Sequence, residues 1–345
     1  MSSLSTIDYT PSIKSKRWIV KTLQALASTP VVLAVPTDLK GRSFTRVGAW
    51  SGEELLQVLD LAVRLKELQA AREEHRLLPG RTLGMIFQKP STRTRVSFEV
   101  GIWQLGGIGL YLSASDLQLG RGETIRDTAV VLSRYLDAIM IRTFAQDDVE
   151  ELATAADIPV INGLTDAAHP CQALADLMTV RERLGRLQGV RLAYLGDGNN
   201  VCASLMVGAA KLGLDFVAAS PAEYDPPADA VELARVVAEE TGGSVELVRD
   251  PVEAARGADA LYTDVWTSMG QEEERERRLH DLAEYGIDEE LLAAAGPEAI
   301  VLHCLPAHYG EEIAESVLYG PQSAVWDQAE NRLHAQKALM ALVIR

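Results

Sequence analysis

Two patterns of apolar residues alternate along the chain. In SGEELLQVLDLAVRLKELQAA they recur every third or fourth position behind Ser51, with Glu54 three residues on, which predicts an amphipathic helix opened by a reciprocal cap. The runs TLGMIF, IGLYL, DAIMIRT and IPVIN are predominantly apolar and predict buried strands separated by helices. A second series, VRLAYLGD, LDFVAAS, SVELVRD, ALYTDVW and AIVLHCLP, begins after a helix predicted near residues 172 to 186. Buried strands alternating with helices specify an α/β fold: two similar lobes, each a mainly parallel sheet flanked by helices, joined by interdomain helices. The segment AENRLHAQKALMALVI reads as a helix packing back on a lobe, and GQEEERERRLHDLAE as a solvated charged face.

Composition narrows the function. A chain of 345 residues that is 47% hydrophobic can bury two cores, and no apolar run has the length of a membrane span. The formal net charge of -16 argues against broad binding to nucleic acid or anionic membranes. Cys171, Cys202 and Cys304 are an odd set without C-x-x-C spacing, which fits a reducing compartment rather than a disulfide framework or a zinc knuckle. Residues 1–36 are locally basic and read as a loosely held arm ahead of an organelle-targeting segment, for which arginines are few.

Candidate chemistry gathers at predicted strand ends, where open α/β sheets bind ligands. In FQKPSTRTRVSFEV, Lys89, Arg93 and Arg95 stand without a carboxylate before Glu99. Ser91, Thr92, Arg93 and Thr94 sit at a helix start and offer backbone N–H groups, hydroxyls and a guanidinium, a set suited to phosphate; the bland alternative is an ordinary cap with surface arginines. Arg142 ends DAIMIRT, and His169 and Gln172 lie in HPCQ. A lone histidine is as often structural as catalytic, but with Arg142 it could donate to a carbonyl oxygen gaining negative charge, and Gln172 suits an amide. GDGNN lacks the full dinucleotide spacing; Asn199 and Asn200 either cap a helix or hold a carboxylate. Asp264 ends a buried strand, where a carboxylate is costly without a cation, and a substrate ammonium would serve.

Together these motifs resemble the aspartate/ornithine transcarbamylase family, over about residues 39 to 345. S-T-R-T-R and H-P-C-Q match the family's carbamoyl phosphate motifs, while D-V-W-T-S-M-G, H-C-L-P and A-E-N-R are closest to its ornithine branch. The resemblance implies transfer of a carbamoyl group from carbamoyl phosphate to the δ-amine of L-ornithine, giving citrulline for arginine biosynthesis. It implies no metal or organic cofactor. Ser91, Thr92, Arg93 and Thr94 would hold the phosphate, and Arg142, His169 and Thr94 would polarise the carbonyl. Gln172 and the Leu305 carbonyl would face the amide, and Arg332 would reach carbamoyl phosphate from the C-terminal segment. Asn200 and Met269 would hold the ornithine carboxylate, Asp264 and Ser268 its α-ammonium, and Cys304 would lie beside the δ-nitrogen. Gln118 would enter a neighbouring subunit's site, implying a homotrimer, or a multiple of trimers, with shared active sites in the cytoplasm. The implied domains are 37–172 for carbamoyl phosphate, completed by the helix 327–345, and 173–326 for ornithine. Ala167, Ala168 and Tyr309 depart from the family's usual residues. Rival readings are a carbamoyltransferase for putrescine or an acylated ornithine, a catabolic enzyme running citrulline phosphorolysis, and an inactive regulatory paralogue.

Overall fold

The computed structural model describes residue 33 and residues 35–113, 117, 122–267 and 272–345, and Pro36–Arg345 form one compact unit. The basic arm therefore lies almost wholly outside the described residues, as do Gln118, Ser268 and Met269. Both predicted series form sheets. The first contains β1 (Thr82–Phe87), β2 (Ile108–Ser113), β3 (Ala138–Arg142) and β4 (Val160–Leu164) in the order β2-β1-β3-β4. The second contains β5 (Arg191–Leu195), β6 (Asp215–Ala219), β7 (Ser244–Val248), β8 (Ala260–Thr263) and β9 (Ile300–His303) in the order β7-β6-β5-β8-β9. Every pairing is parallel, as crossover helices between successive strands require. The fold is thus α/β with two lobes.

Local signals act as expected in the Gly52–Ala70 helix. The Ser51 side chain accepts from Glu54 N–H and the Glu54 carboxylate accepts from Ser51 N–H, satisfying two donors that a helix start otherwise leaves unpaired. The Pro170–Leu184 helix is buried continuously from Pro170 to Val180, as a helix lodged between two packed bodies must be. IGLYL departs from expectation. β2 is an edge strand, and Ile108, Leu110 and Tyr111 on it are exposed, at 57%, 44% and 41%. Its run is apolar for a reason other than burial in this chain.

The Val325–Val343 helix packs on the helices Gly52–Ala70, Thr92–Gln104 and Pro170–Leu184. Gly101 permits the close approach: a Cβ there would lie 3.1 Å from Met340 Cε and 3.2 Å from Lys337 Cγ. Fully buried at this junction, Lys337 Nζ donates to Gln69 Oε1 (2.9 Å) and Gln104 Oε1 (2.9 Å) and lies 3.0 Å from His75 Nε2. His75 Nδ1 faces the Glu73 carbonyl at 2.9 Å, so the ring proton sits on Nδ1 and Nε2 accepts from the ammonium. The ammonium has an acceptor for each proton but, among the described residues, no paired carboxylate, and burial pushes its pKa down to about 8. Among the described residues no helix is long and apolar enough to cross a membrane.

A stability prediction follows from Lys337. Its folded pKa lies below the unfolded value near 10.5, so between about pH 8 and 10.5 the unfolded chain binds more protons and folding stability rises with pH. The melting temperature of the wild type should therefore gain on that of Lys337→Met as pH is raised through this window. A difference independent of pH would contradict the assignment.

Candidate active site

Each sheet has one point where strand order reverses, between β1 and β3 in the first and between β5 and β8 in the second. Loops leaving neighbouring strand ends diverge there and open a crevice. The β1 end leads into the Thr92–Gln104 helix, capped by Ser91, whose Oγ accepts from Thr94 N–H at 3.2 Å. Directly across, Phe87 pairs with Arg142 at the end of β3. In the second sheet, Asn199 follows β5 and caps the Asn200–Lys211 helix, and its Nδ2 donates to Asp264 Oδ2 beyond β8 at 2.9 Å.

The first crevice is strongly positive. Arg332 reaches it from the C-terminal helix, donating from Nη2 to Thr94 Oγ1 (3.2 Å) and from Nη1 to Gln172 Oε1 (2.6 Å). Arg142 and Arg332 are buried, Arg93 is half-buried, and among the described residues none of the three guanidiniums is paired with a carboxylate. Burial and then the nearby Arg332 push the Arg142 pKa down to about 10. His169 is held well below the usual histidine range by burial and then by Arg332, Arg142 and Arg93, so its ring is neutral at pH 7. Arg142 Nε and His169 Nδ1 are buried without a hydrogen-bond partner, an arrangement that favours an arriving polar ligand.

The second crevice supplies the opposite character. Burial raises the Asp264 carboxyl pKa, and burial followed by Asp264 and Asp176 raises that of the Cys304 thiol well above its usual range. Cys304 keeps a partly exposed face, but its thiol is not a thiolate at pH 7. Next to it, Leu305 adopts φ +58° and its carbonyl accepts from Arg93 Nη2, linking the two lobes. Leu305 N–H donates to His303 Nδ1 at 2.8 Å, which leaves the ring proton on Nε2, 3.1 Å from Glu312 Oε1.

The structure thus brings together Ser91, Arg93, Thr94, Arg142, His169, Gln172 and Arg332, and opposite them Asp264, Cys304 and Leu305; Thr92 lies exposed at the helix start. Asn200 turns one of its two N–H groups to the Thr165 carbonyl, leaving the other for a ligand. The structure also sorts the clustered cations and changes one expectation. Lys89 is buried and paired with Asp166, and Arg95 pairs with Glu99 and stacks on Tyr111, so of the three cations in FQKPSTRTR only Arg93 enters the crevice. GQEEERERRLHDLAE is not wholly solvated, because Arg278 is buried and donates to Asp197 Oδ2 (2.9 Å) and the Trp266 carbonyl (3.1 Å). Charge density hid Arg278 in the sequence. Asp176 had a visible signal, a lone carboxylate in an otherwise apolar helical run.

Residues 42–182 match the family model for the aspartate/ornithine carbamoyltransferase carbamoyl-P binding domain, and residues 188–343 match that for its Asp/Orn binding domain. The chain belongs to the aspartate/ornithine carbamoyltransferase family. Within that family it is 59% identical to the ornithine carbamoyltransferase of Symbiobacterium thermophilum over 308 residues, 89% of this chain and 99% of the relative. A relative from Pyrococcus furiosus named "Ornithine carbamoyltransferase, anabolic" is 54% identical over 89% of this chain and 98% of its own length. The solved ornithine carbamoyltransferase of Pyrococcus furiosus superposes with a TM-score of 0.87 at 54% identity, covering 90% of this chain and 99% of that one. The solved anabolic ornithine carbamoyltransferase of Campylobacter jejuni gives a TM-score of 0.81 at 38% identity, covering 87% and 97%.

Arg278 offers a test of how the second crevice is braced. Burial raises the Asp197 carboxyl to about 6 despite the opposing pull of Arg278. Removing the cation strands a buried carboxylate, a loss typically of about 3–5 kcal/mol. Below pH 6 the carboxyl is protonated in the folded state and the loss shrinks. Denaturant titrations should show Arg278→Met losing more stability at pH 8 than at pH 5.

Proposed function

We propose that the chain transfers the carbamoyl group of carbamoyl phosphate to the δ-amine of L-ornithine, forming L-citrulline and phosphate. The observation that carries this reading is the cluster of Arg93, Arg142 and Arg332, paired with no carboxylate among the described residues, facing Asp264 and Cys304 across the crevice. The arginine side suits a dianionic donor, and the Asp264 side suits an amino acid. In this reading Ser91, Thr92, Arg93 and Thr94 take the phosphate, and Arg142, neutral His169 and Thr94 donate to the carbamoyl oxygen. Gln172 and the Leu305 carbonyl accept from the amide, which requires Arg93 to exchange Leu305 for phosphate. Asn200 and Met269 take the ornithine carboxylate, Asp264 and Ser268 the α-ammonium, and Cys304 borders the δ-nitrogen. Residues 37–172 with the helix 327–345 would form the donor domain, and 173–326 the ornithine domain.

The δ-nitrogen attacks as the free amine. An alkyl ammonium of pKa ~10.4 costs about 4 kcal/mol to deprotonate at pH 7.5, and the arginine charge reduces that cost by disfavouring the ammonium. Its lone pair forms the C–N bond, the C–O bond to phosphate breaks, and the leaving phosphate takes the electron pair and then the proton from nitrogen. Each preorganised donor to the oxyanion contributes about 3–4 kcal/mol, so Arg142→Ala should lower kcat by at least a hundredfold. Arg93→Ala should weaken carbamoyl phosphate binding at least tenfold by calorimetry, a charge-assisted contact being worth about 1.5–3 kcal/mol. In a competition assay citrulline should predominate over carbamoylputrescine and acetylcitrulline; dominant use of another amine would sink the ornithine assignment. We assign the synthetic direction, in line with the relatives named anabolic, and a cytoplasmic setting, in line with free Cys171, Cys202 and Cys304.

We further infer a homotrimer with shared sites. The support is the edge of the first sheet, where Ile108, Leu110 and Tyr111 of β2 stay exposed, an apolar edge that a second copy of the chain would cover. Mixing inactive Gln118→Ala and Arg142→Ala chains through mild denaturation should restore citrulline formation in trimer-sized species. Hybrid trimers no more active than their parents would contradict sharing.

A further inference from the structure

Behind the crevice lies a polar chain that the reaction as described leaves without a role. Its centre is Asp176, fully buried on the Pro170–Leu184 helix. Its Oδ1 accepts from Gln172 Nε2 at 2.7 Å and from Gln328 Nε2 at 2.6 Å, and its Oδ2 accepts from the Tyr262 hydroxyl at 3.1 Å. Gln328 is itself oriented, because its Oε1 accepts from the backbone N–H of His303 at 2.9 Å. The carboxylate is thus held from the second sheet and from the C-terminal helix while it grips a side chain of the first crevice. Burial raises its pKa to about 7, and the three donors oppose that rise.

The consequence falls on Gln172. A glutamine amide presents a donor at one end and an acceptor at the other, and on its own it can turn over. Here Asp176 accepts from Nε2 while Arg332 Nη1 donates to Oε1 at 2.6 Å. Turning the amide over would set oxygen against a buried carboxylate and N–H against a guanidinium, two like-polarity clashes at short range. The carbonyl oxygen has a second lone pair beyond the one Arg332 uses, and it is the end of the amide directed to the arginine cluster.

We propose that Asp176 is a specificity-determining positioning residue: by fixing the amide of Gln172, it makes the site present an acceptor to the group on the donor's acyl carbon, so that a carbamoyl phosphate N–H is selected over the methyl of an acyl phosphate. This rests on the carbamoyl phosphate reading above. A site built to accept a hydrogen bond rejects an isostere that cannot donate, because the acceptor is left unpaired on binding. Asp176 touches no substrate in this account and acts only through Gln172.

Acetyl phosphate, in which a methyl replaces the amide, is the probe. In the wild type its inhibition constant against carbamoyl phosphate in the citrulline assay should exceed the KM for carbamoyl phosphate by at least tenfold. With both assays run at pH 8.5, above the Asp176 pKa of about 7, Asp176→Asn removes the charge that pins Nε2 while keeping the shape, and should reduce that ratio at least threefold with the melting transition still cooperative. Tyr262→Phe deletes the contact to Oδ2 and a 3.2 Å one from Gln328 Nε2, leaves the Oδ1 contact to Gln172 in place, and should leave the ratio within twofold. Gln328→Met strips Asp176 of a brace without touching the carboxylate; it should lower the ratio less, in the same direction, and serves if Asp176→Asn does not fold. In Gln172→Met the ratio should fall close to one, and adding Asp176→Asn should change it no further, since both act through one amide. A purely structural role would weaken both ligands together and leave the ratio unchanged, which overturns the proposal, as does a wild type that fails to discriminate or a Tyr262→Phe shift equal to that of Asp176→Asn. A wild type that makes no citrulline refutes the underlying reading instead.

Discussion

Uncompensated positive charge is the constraint around which this molecule is arranged. Arg93, Arg142 and Arg332 come from the start of a helix, the end of a strand and the C-terminal helix, and burial and then the charge of Arg332 lower the proton affinity of Arg93 and Arg142. Assembling like charges out of water is unfavourable, so the fold must hold them there by other means. Those means are visible: parallel strand ends at a sheet's switch point, the Ser91 cap, the Leu305 carbonyl, and the Thr94 and Gln172 oxygens that accept from Arg332. The site is stabilised by its supports rather than by itself. In the proposed reading an anionic substrate would supply the missing charge.

The same charge decides the state of its neighbours. His169 is neutral because cations surround it, which makes it a donor through a single N–H rather than another repelling ammonium-like group. Across the crevice, Asp264 and Cys304 are pushed toward their uncharged forms by burial, and a substrate ammonium would reverse that for Asp264. Each half of the site is therefore incomplete in a chemically opposite sense. In the proposed reading two substrates of matching polarity would complete both, and the Leu305 carbonyl, accepting from Arg93, joins the halves.

Bracing within and between the lobes runs through groups far apart in sequence. Lys337 ties the C-terminal helix to two helices of the first lobe, Asp176 joins the interlobe helix to Tyr262 and Gln328, and Arg278 fastens Asp197 to the Trp266 carbonyl. Buried ions of this kind are costly to bury and costlier to disrupt, so they define one arrangement more than they add stability. That suits a site whose donors must sit within fractions of an ångström of a developing oxyanion.

By itself the sequence determined what depends on short-range pattern. Predominantly apolar runs named the strands of both sheets, the Ser51 and Glu54 spacing named a helix start, and polar clusters at strand ends named Arg93, Arg142, His169 and Asp264. These are legible because strand burial, capping and strand-end chemistry depend on residues within one or two turns of each other. Only the tertiary structure decided which charges are spent internally. Lys89 meets Asp166, Arg278 meets Asp197, and Gln172 receives its orientation from Asp176 on one side and Arg332 on the other. It also decided that the apolar run IGLYL lies at an edge and stays exposed. A side chain's partner and an edge strand's cover are set by packing between distant elements, and one sequence pattern is compatible with a cation that binds a ligand and with one already paired.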